Sequence, residues 1–317
     1  MDWFRELTGL PNDRPETVRA GVVIQGDTLL FPESGRRLQA GKLATPMLAD
    51  LPAPPVGPRR IKVSEVVANV TALHADPSNA GALFQVASQF NLLEMISPEI
   101  TPDQGISRYS LDRTQGPACA LACAAGTIYR NYLVPVLGRV GQSADRQLDM
   151  LADMGHALGN DGGAFWRMQN GYALPQRGGL AAVAARIALA DRKVLTGRLR
   201  VGVQEATEVT LPGKGHLVHQ VYASALPIAY ANEPVADWEP FASLVLDAAY
   251  ESTMAAALAC GARRVFLTRL GGGAFGNPPE WITRAIASAV NLYQAADLEV
   301  CLVSHGRADP QNLSLLG

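Results

Sequence analysis

The sequence is poor in charge, in aromatic rings and in cysteine. Charged residues make up 18% of its 317 positions, and 27 Lys and Arg nearly balance 29 Asp and Glu. A net charge of -2 excludes the basic footprint of a protein that grips phosphate backbones non-specifically, so nucleic acid is not expected as a partner. Only four cysteines occur, Cys119, Cys123, Cys260 and Cys301, too few for a disulfide scaffold. They read as small buried apolar residues in a reduced, cytoplasmic compartment. No His or second Cys pair stands at ligand spacing from Cys119 and Cys123, so no metal and no cofactor are expected. No apolar run reaches the roughly 18 residues needed to cross a bilayer, so no membrane is expected either. Met1-Asp2-Trp3-Phe4-Arg5-Glu6 carries no basic region, which predicts that no secretory signal is present.

What is there is apolar and folded. Hydrophobic residues make up 48% of the chain, enough for a large core. Residues 1–60 form an extension. In it, Gly26-Asp27 between Val22–Gln25 and Thr28–Phe31 predicts a hairpin. Leu51–Pro58, with four prolines in eight residues, predicts an extended connector. From residue 61 strands alternate with helices. Strands are predicted at Ile61–Val70, Ala82–Ala87, Leu199–Val209, Leu217–Tyr230, Arg264–Leu270 and Leu298–Ser304. Helices are predicted at Pro117–Leu133, Ser143–Leu158, Gly179–Leu199, Phe241–Cys260 and Pro279–Leu292. Alternation of this kind implies an α/β domain over 61–317 with a mixed, largely parallel sheet.

The richest segment runs from strand Arg264–Leu270 through Gly271-Gly272-Gly273-Ala274-Phe275-Gly276-Asn277 into the helix that starts at Pro279. Glycines let the backbone approach a ligand closely, successive N–H groups can cradle an anion, and the helix N-terminus adds its dipole. A tight strand-to-helix turn without ligand would use the same residues. No Gly-Lys-Ser/Thr triplet follows, so the segment is not a P-loop. It also lies too late in the chain for a dinucleotide fingerprint.

The order Leu246–Gly261 helix, strand, Gly-x-Gly-x-Phe-Gly loop and Pro-Glu helix start resembles the second half of a macrodomain, the ADP-ribose-binding fold. Val66–Leu73 and Phe84–Glu94 resemble its first half, with Asn69 where an adenine-binding Asp is usual. Amides and a hydroxyl (Gln85, Ser88, Gln89, Asn91) stand in a loop that normally carries asparagines. The stretch from Glu94 to Gly116, with Arg113-Thr114-Gln115-Gly116-Pro117, replaces the usual glycine-rich loop and is similar to a divergent bacterial ADP-ribosylglycohydrolase branch. The resemblance implies a three-layer α/β/α sandwich that binds ADP-ribose or an ADP-ribosylated protein. Gly271–Asn277 would hold the diphosphate, and the residues above together with Gln115 would hold the ribose and base.

Removal of ADP-ribose needs a carboxylate beside the anomeric carbon. The resemblance puts Asp112 first for that role, Glu94 second and Asp103 third. Each has an ordinary structural alternative, Asp112 as a helix cap above all. Gln204-Glu205 matches a glycohydrolase signature but lies on a predicted strand, and reads as chance. Tyr109 and Tyr129 are candidates for the cleft wall, His219 for the core, and His305 for a nucleotide edge. The implied activity is hydrolysis of an ADP-ribosyl linkage on a modified side chain. A non-catalytic reader, or a hydrolase of free ADP-ribose derivatives, are the alternatives.

Overall fold

Apolar runs of five or so residues that are buried on both faces belong in the middle of a parallel sheet, and Leu83–Ala87 is such a run. In the computed structural model, which describes residues 3–316, it is the central strand of seven. In chain order these are β1 (Lys42–Ala44), β2 (Lys62–Val67), β3 (Leu83–Ala87), β4 (Gly202–Glu208), β5 (Leu217–Ala223), β6 (Arg264–Leu267) and β7 (Glu299–Ser304). The sheet order is β1-β4-β5-β3-β6-β7-β2. β5, β3, β6, β7 and β2 run parallel, while β4 is antiparallel to both β5 and β1.

Side chains alternate across a strand, so neighbours on β3 report the two faces. Phe84 stacks on His74 of helix α1 (Val70–Ala75) with ring centroids 3.7 Å apart. Gln85, pointing the other way, donates to Thr253 of the long helix α3 (Val235–Ala259) at 2.9 Å. Helix α2 (Gln115–Ala122) packs on α1, and α4 (Pro279–Leu292) packs on α3. The molecule is therefore the expected mixed, largely parallel α/β/α sandwich.

Residues 3–50 pack on the sandwich. Helices Trp3–Thr8 and Pro15–Gly21 and a meander of Val23–Gln25, Thr28–Phe31 and Arg36–Gln39 carry a second apolar cluster. There Phe4, Val18 and Phe31 meet Ile106, Ile128 and Tyr132. The expected hairpin forms, with Gln25 opposite Thr28. The boundary at residue 60 needs correction, because Lys42–Ala44 is already an edge strand of the main sheet.

Other differences have identifiable hydrogen-bonding causes. The single helix expected over Pro117–Leu133 is split at Cys123. Thr210 cuts into its ladder: its N–H donates to Ala122 C=O at 2.8 Å, and its hydroxyl accepts from Ala124 N–H at 3.0 Å. The helix expected over Ser143–Leu158 survives only at Ala152–Leu158, since Ser143 and Arg146 close a turn on each other. Asp191 caps a new short helix inside Gly179–Leu199, accepting from Lys193 N–H at 2.8 Å. A hairpin, Trp166–Gln169 with Tyr172–Pro175, was unexpected although Asn170-Gly171 is a strong turn signal. No helix among the described residues is long and apolar enough to cross a membrane.

Candidate functional site

The cleft opens where two parallel strands part. β6 pairs with β3 only at Val265–Leu83 and Phe266–Phe84. Beyond that the chain leaves β3 toward β4 and β5 and leaves β6 toward β7, in opposite directions across the sheet. A crevice at the carboxyl ends of such strands is the usual ligand position in open α/β sheets. Here it holds a cavity of about 230 Å³.

The segment after β3 forms one wall. Ser88, Gln89, Glu94, Met95 and Ile96 line it. The Gln89 side chain clamps this loop, accepting from Met95 N–H at 2.7 Å and donating to Met95 C=O at 3.1 Å. Glu94 is fully buried and ion-paired: Arg130 Nη2 lies 3.0 and 3.2 Å from its two oxygens. Arg130 in turn donates from Nε to Leu92 C=O at 2.9 Å and sits 3.5 Å above the Tyr222 ring. Burial pushes the Glu94 carboxyl up to about 7, with the Arg130 charge pulling the other way. Arg130 was not a sequence candidate. An arginine inside an apolar run is a signal that could have found it, because such a charge needs a buried partner.

The second wall comes from the segment leading into α2. Asp112, Thr114, Gln115, Gly116 and Pro117 line it. Asp112 Oδ1 accepts from Thr114 N–H at 2.8 Å, closing a turn ahead of α2; the N-cap of that helix is Thr114, so Asp112 is not the helix cap expected of it. Among the described residues its other oxygen has no partner. Gln115 replaces the strand that β6 no longer supplies: Oε1 accepts from Ala87 N–H at 2.9 Å and Nε2 donates to Gln85 C=O at 2.8 Å. Gly116 lies so close to Ala87 C=O that no side chain fits there.

The glycine loop is the third wall. It is pinched shut by Asn277 N–H donating to Gly271 C=O at 2.9 Å and Gly276 N–H donating to Gly273 C=O at 3.0 Å. Asn277 is buried and also donates from Nδ2 to Leu226 C=O at 2.8 Å, so it ties the loop and does not line the cavity. Gly271 has φ +75°, and a Cβ there would meet Ala225 and come within 2.7 Å of Asn277 Nδ2. Gly271, Gly273, Ala274 and Phe275 line the cavity; Gly272 and Gly276 do not. Among the described residues, the N–H groups of Gly273, Ala274 and Phe275 donate to no acceptor.

Three rings close the end of the cleft. Phe275 lies 5.3 Å from Tyr172 and 5.7 Å from Tyr230, and the two tyrosines are 5.0 Å apart. Neither tyrosine was a sequence candidate. The expected pair behaves otherwise: Tyr109 is buried behind the wall, its hydroxyl accepting from Glu94 N–H at 2.9 Å, and Tyr129 does not line the cavity. Arg269 lines it but is held by Asp309 at 3.3 Å, Pro279 C=O at 2.7 Å and Thr283 at 2.8 Å.

Further sequence candidates fall outside the cavity. Asp103 accepts from Ala144 N–H at 2.7 Å. Asn69 caps α1, accepting from Thr71 N–H at 2.8 Å. Gln85 spans from Thr253 to Thr268 N–H beneath the sheet. Asn91 is fully buried against Gln147. A second hollow of about 400 Å³ adjoins the cleft, sharing Thr268 and Arg269 and bordered by Ser304, His305, Arg307 and Asp309. Gln204 and Glu205 lie on β4, where Gln204 donates to Ala40 C=O at 2.8 Å, away from the cleft. His219 accepts from Ala206 N–H at 3.3 Å on the same side. Among the described residues no cluster of three potential metal ligands exists.

No protein-family model matches the chain. No curated protein matches it either. Among solved structures it is similar to the poly(ADP-ribose) glycohydrolase of Thermomonospora curvata bound to the inhibitor ADP-HPD, at 15% identity over 94% of each chain with a TM-score of 0.45. The Deinococcus radiodurans poly(ADP-ribose) glycohydrolase in complex with ADP-ribose is similar at 12% identity over 82% of each chain, with a TM-score of 0.41. TM-scores below 0.5 at such identities mark a distant likeness of architecture, one that assigns no activity.

Proposed function

We propose that this cleft binds ADP-ribose and that the protein hydrolyses an ADP-ribosyl linkage, as a divergent relative of the macrodomains. One observation carries the reading: three successive N–H groups without an acceptor, at Gly273–Phe275, line one cavity with Asp112, whose second oxygen is unengaged, and with the Arg130-paired Glu94. The amides suit a diphosphate, which needs donors and no counter-cation when held by a backbone nest. The opposite wall then receives the distal ribose, and the adjoining hollow beside His305 receives the nucleoside end. Fixing both ends brings the anomeric carbon to the carboxylates in a near-attack geometry.

The residues divide the work. Asp112, with one oxygen in its turn to Thr114 and the other unengaged, orients the attacking water and takes its proton. Glu94, held in place by Arg130, is the second carboxyl, its proton affinity raised by burial. As the glycosidic bond breaks, both acids face the positive charge that develops on the ribose. The test is calorimetric titration with ADP-ribose, followed by assays of ADP-ribose release from Arg-, Glu- and Ser-linked substrates and from poly(ADP-ribose). Binding with release from at least one linkage is expected. Binding without release from any of them makes the protein a reader, and no binding removes the proposal.

A further inference from the structure

Within that proposed activity the cleft end also carries information about what is attached to the ribose. Tyr172, Tyr230 and Phe275 all line the cavity and meet at tilted or edge-on angles of 58°, 47° and 75°. Rings that meet edge to face leave π-faces unspent on one another. Tyr172 is fixed by its hydroxyl, which donates to Met95 C=O at 2.7 Å.

Asp112 lines the same cavity as these rings. Burial first, then the neighbouring Tyr230 and the charges of Asp112 and Glu99, keep the proton on the Tyr172 phenol. Glu94 is answered by Arg130 behind the wall. Asp112 has no such partner: Arg113 beside it is exposed and does not line the cavity. Arg269 is committed to Asp309, Pro279 and Thr283. An aromatic wall next to an uncompensated carboxylate favours a planar, delocalised cation.

We infer that the group leaving the ribose is a planar cation joined through nitrogen, either the guanidinium of an arginine or a pyridinium such as that of a nicotinamide dinucleotide, seated against Tyr230 and Phe275 beside Asp112. The reaction balances with water alone. The water oxygen bonds to the anomeric carbon while the carbon–nitrogen bond breaks, and its electron pair stays on nitrogen. A pyridinium departs as the neutral ring, and the water's proton passes through the carboxylate to solvent. A guanidinium linkage departs as guanidine and takes up that proton. In both, positive charge moves from the leaving group to the ribose, toward Asp112 and Glu94.

The inference rests on the ADP-ribose reading but is tested apart from it. The 317-residue chain is titrated with 1-methylnicotinamide, with agmatine and with neutral nicotinamide, while the aromatic resonances of Tyr230 and Phe275 are followed by NMR. Both cations are expected to shift these resonances and to bind about tenfold more tightly than nicotinamide. Asp112→Asn, which keeps the acceptor for Thr114 N–H, and Tyr230→Leu should each remove that preference. With ADP-ribosyl substrates, kcat/KM should favour the arginine-linked or the pyridinium compound over the serine-linked one by about tenfold. Tyr230→Leu should level this ratio while ADP-ribose affinity stays within about twofold. Equal shifts by nicotinamide and its methylated cation, or equal turnover of serine-linked substrate, overturn the inference and leave the ADP-ribose reading standing. Cation binding in a protein that does not bind ADP-ribose does the reverse. Agmatine and 1-methylnicotinamide distinguish the two sources, as do the arginine-linked and pyridinium substrates.

Discussion

The side-chain amide of Gln115 pairs with the backbone around Ala87 as a neighbouring strand would, accepting from Ala87 N–H at 2.9 Å and donating to Gln85 C=O at 2.8 Å. This allows β6 to turn away after Phe266 without stranding the polar groups of β3. The cleft exists because of that substitution. Gln115→Ala leaves one donor and one acceptor unpaired beside the cavity, where water reaches them in part. A stability loss of about 1–3 kcal/mol is expected. Gln115→Glu keeps the acceptor and loses the donor, so it should fall between wild type and Gln115→Ala in urea unfolding. A Gln115→Ala variant as stable as wild type would mean that the pairing contributes nothing.

Two glycines of one loop should respond oppositely to a side chain. At Gly273 an added Cβ meets nothing within 4 Å among the described residues, and φ lies outside the left-handed region. Gly273→Val should therefore melt near wild type while placing a branched side chain over the unengaged amides, and ADP-ribose affinity should drop at least tenfold, about 1.4 kcal/mol. With no backbone strain at that position, the variant is a clean probe of ligand contact. Gly271→Ala should do the converse. Its positive φ and the closeness of Ala225 predict a loss of about 1–3 kcal/mol in stability. Calorimetry and thermal melts on the two variants separate ligand contact from loop architecture.

Two buried groups tie stability to pH with opposite signs. Burial raises Glu94 from 4.5 to about 7, so the folded protein holds a proton there that the unfolded chain has lost. Its contribution is complete below pH 4.5 and is lost as pH rises to 7. Burial lowers His74 from 6.5 to about 4; its Nδ1–H donates to Val70 C=O at 2.8 Å, and Nε2 faces the Gln220 amide at 3.0 Å. Its contribution is complete above pH 6.5 and is lost as pH falls to 4. The two effects oppose each other between pH 5 and 7.5. Urea unfolding at those two pH values checks both. The deficit of Glu94→Gln relative to wild type should shrink as pH rises, and that of His74→Gln should grow.

Much of the scaffold was legible because it depends on local pattern. The Pro279–Leu292 helix and the strands around Leu83–Ala87 and Glu299–Ser304 follow from apolar runs, and from proline at the helix start. The Gly271–Asn277 loop was legible from its glycines. What could not be read depends on partners far away in sequence. Thr210 breaks a helix 87 residues before it, at Cys123, with nothing local to announce it. Tyr172 and Tyr230 reach the cleft from a hairpin and from the turn after β5, two elements whose spatial convergence no spacing encodes. Asn69 and Asp103 have the right chemistry but are spent on a cap and a loop contact.

Asp112 has two possible roles whose signatures can be separated in one variant. As a turn former ahead of α2, it accepts from Thr114 N–H at 2.8 Å, and Asp112→Ala should then cost about 1 kcal/mol of stability with turnover nearly intact. As the group that orients water, its second oxygen acts at the anomeric carbon. Asp112→Ala should then lower turnover by about 10²-fold or more while ADP-ribose affinity changes little, because the diphosphate contacts at Gly273–Phe275 remain. Asp112→Asn sharpens the distinction. An asparagine keeps an acceptor for Thr114 N–H and so keeps the turn, but it cannot take a proton from water. Near-wild-type melting with turnover lowered about as far as in Asp112→Ala is the expected pattern. If Asp112→Asn instead turns over at the wild-type rate, the carboxylate only closes the turn, and the acting base is Glu94 or water itself.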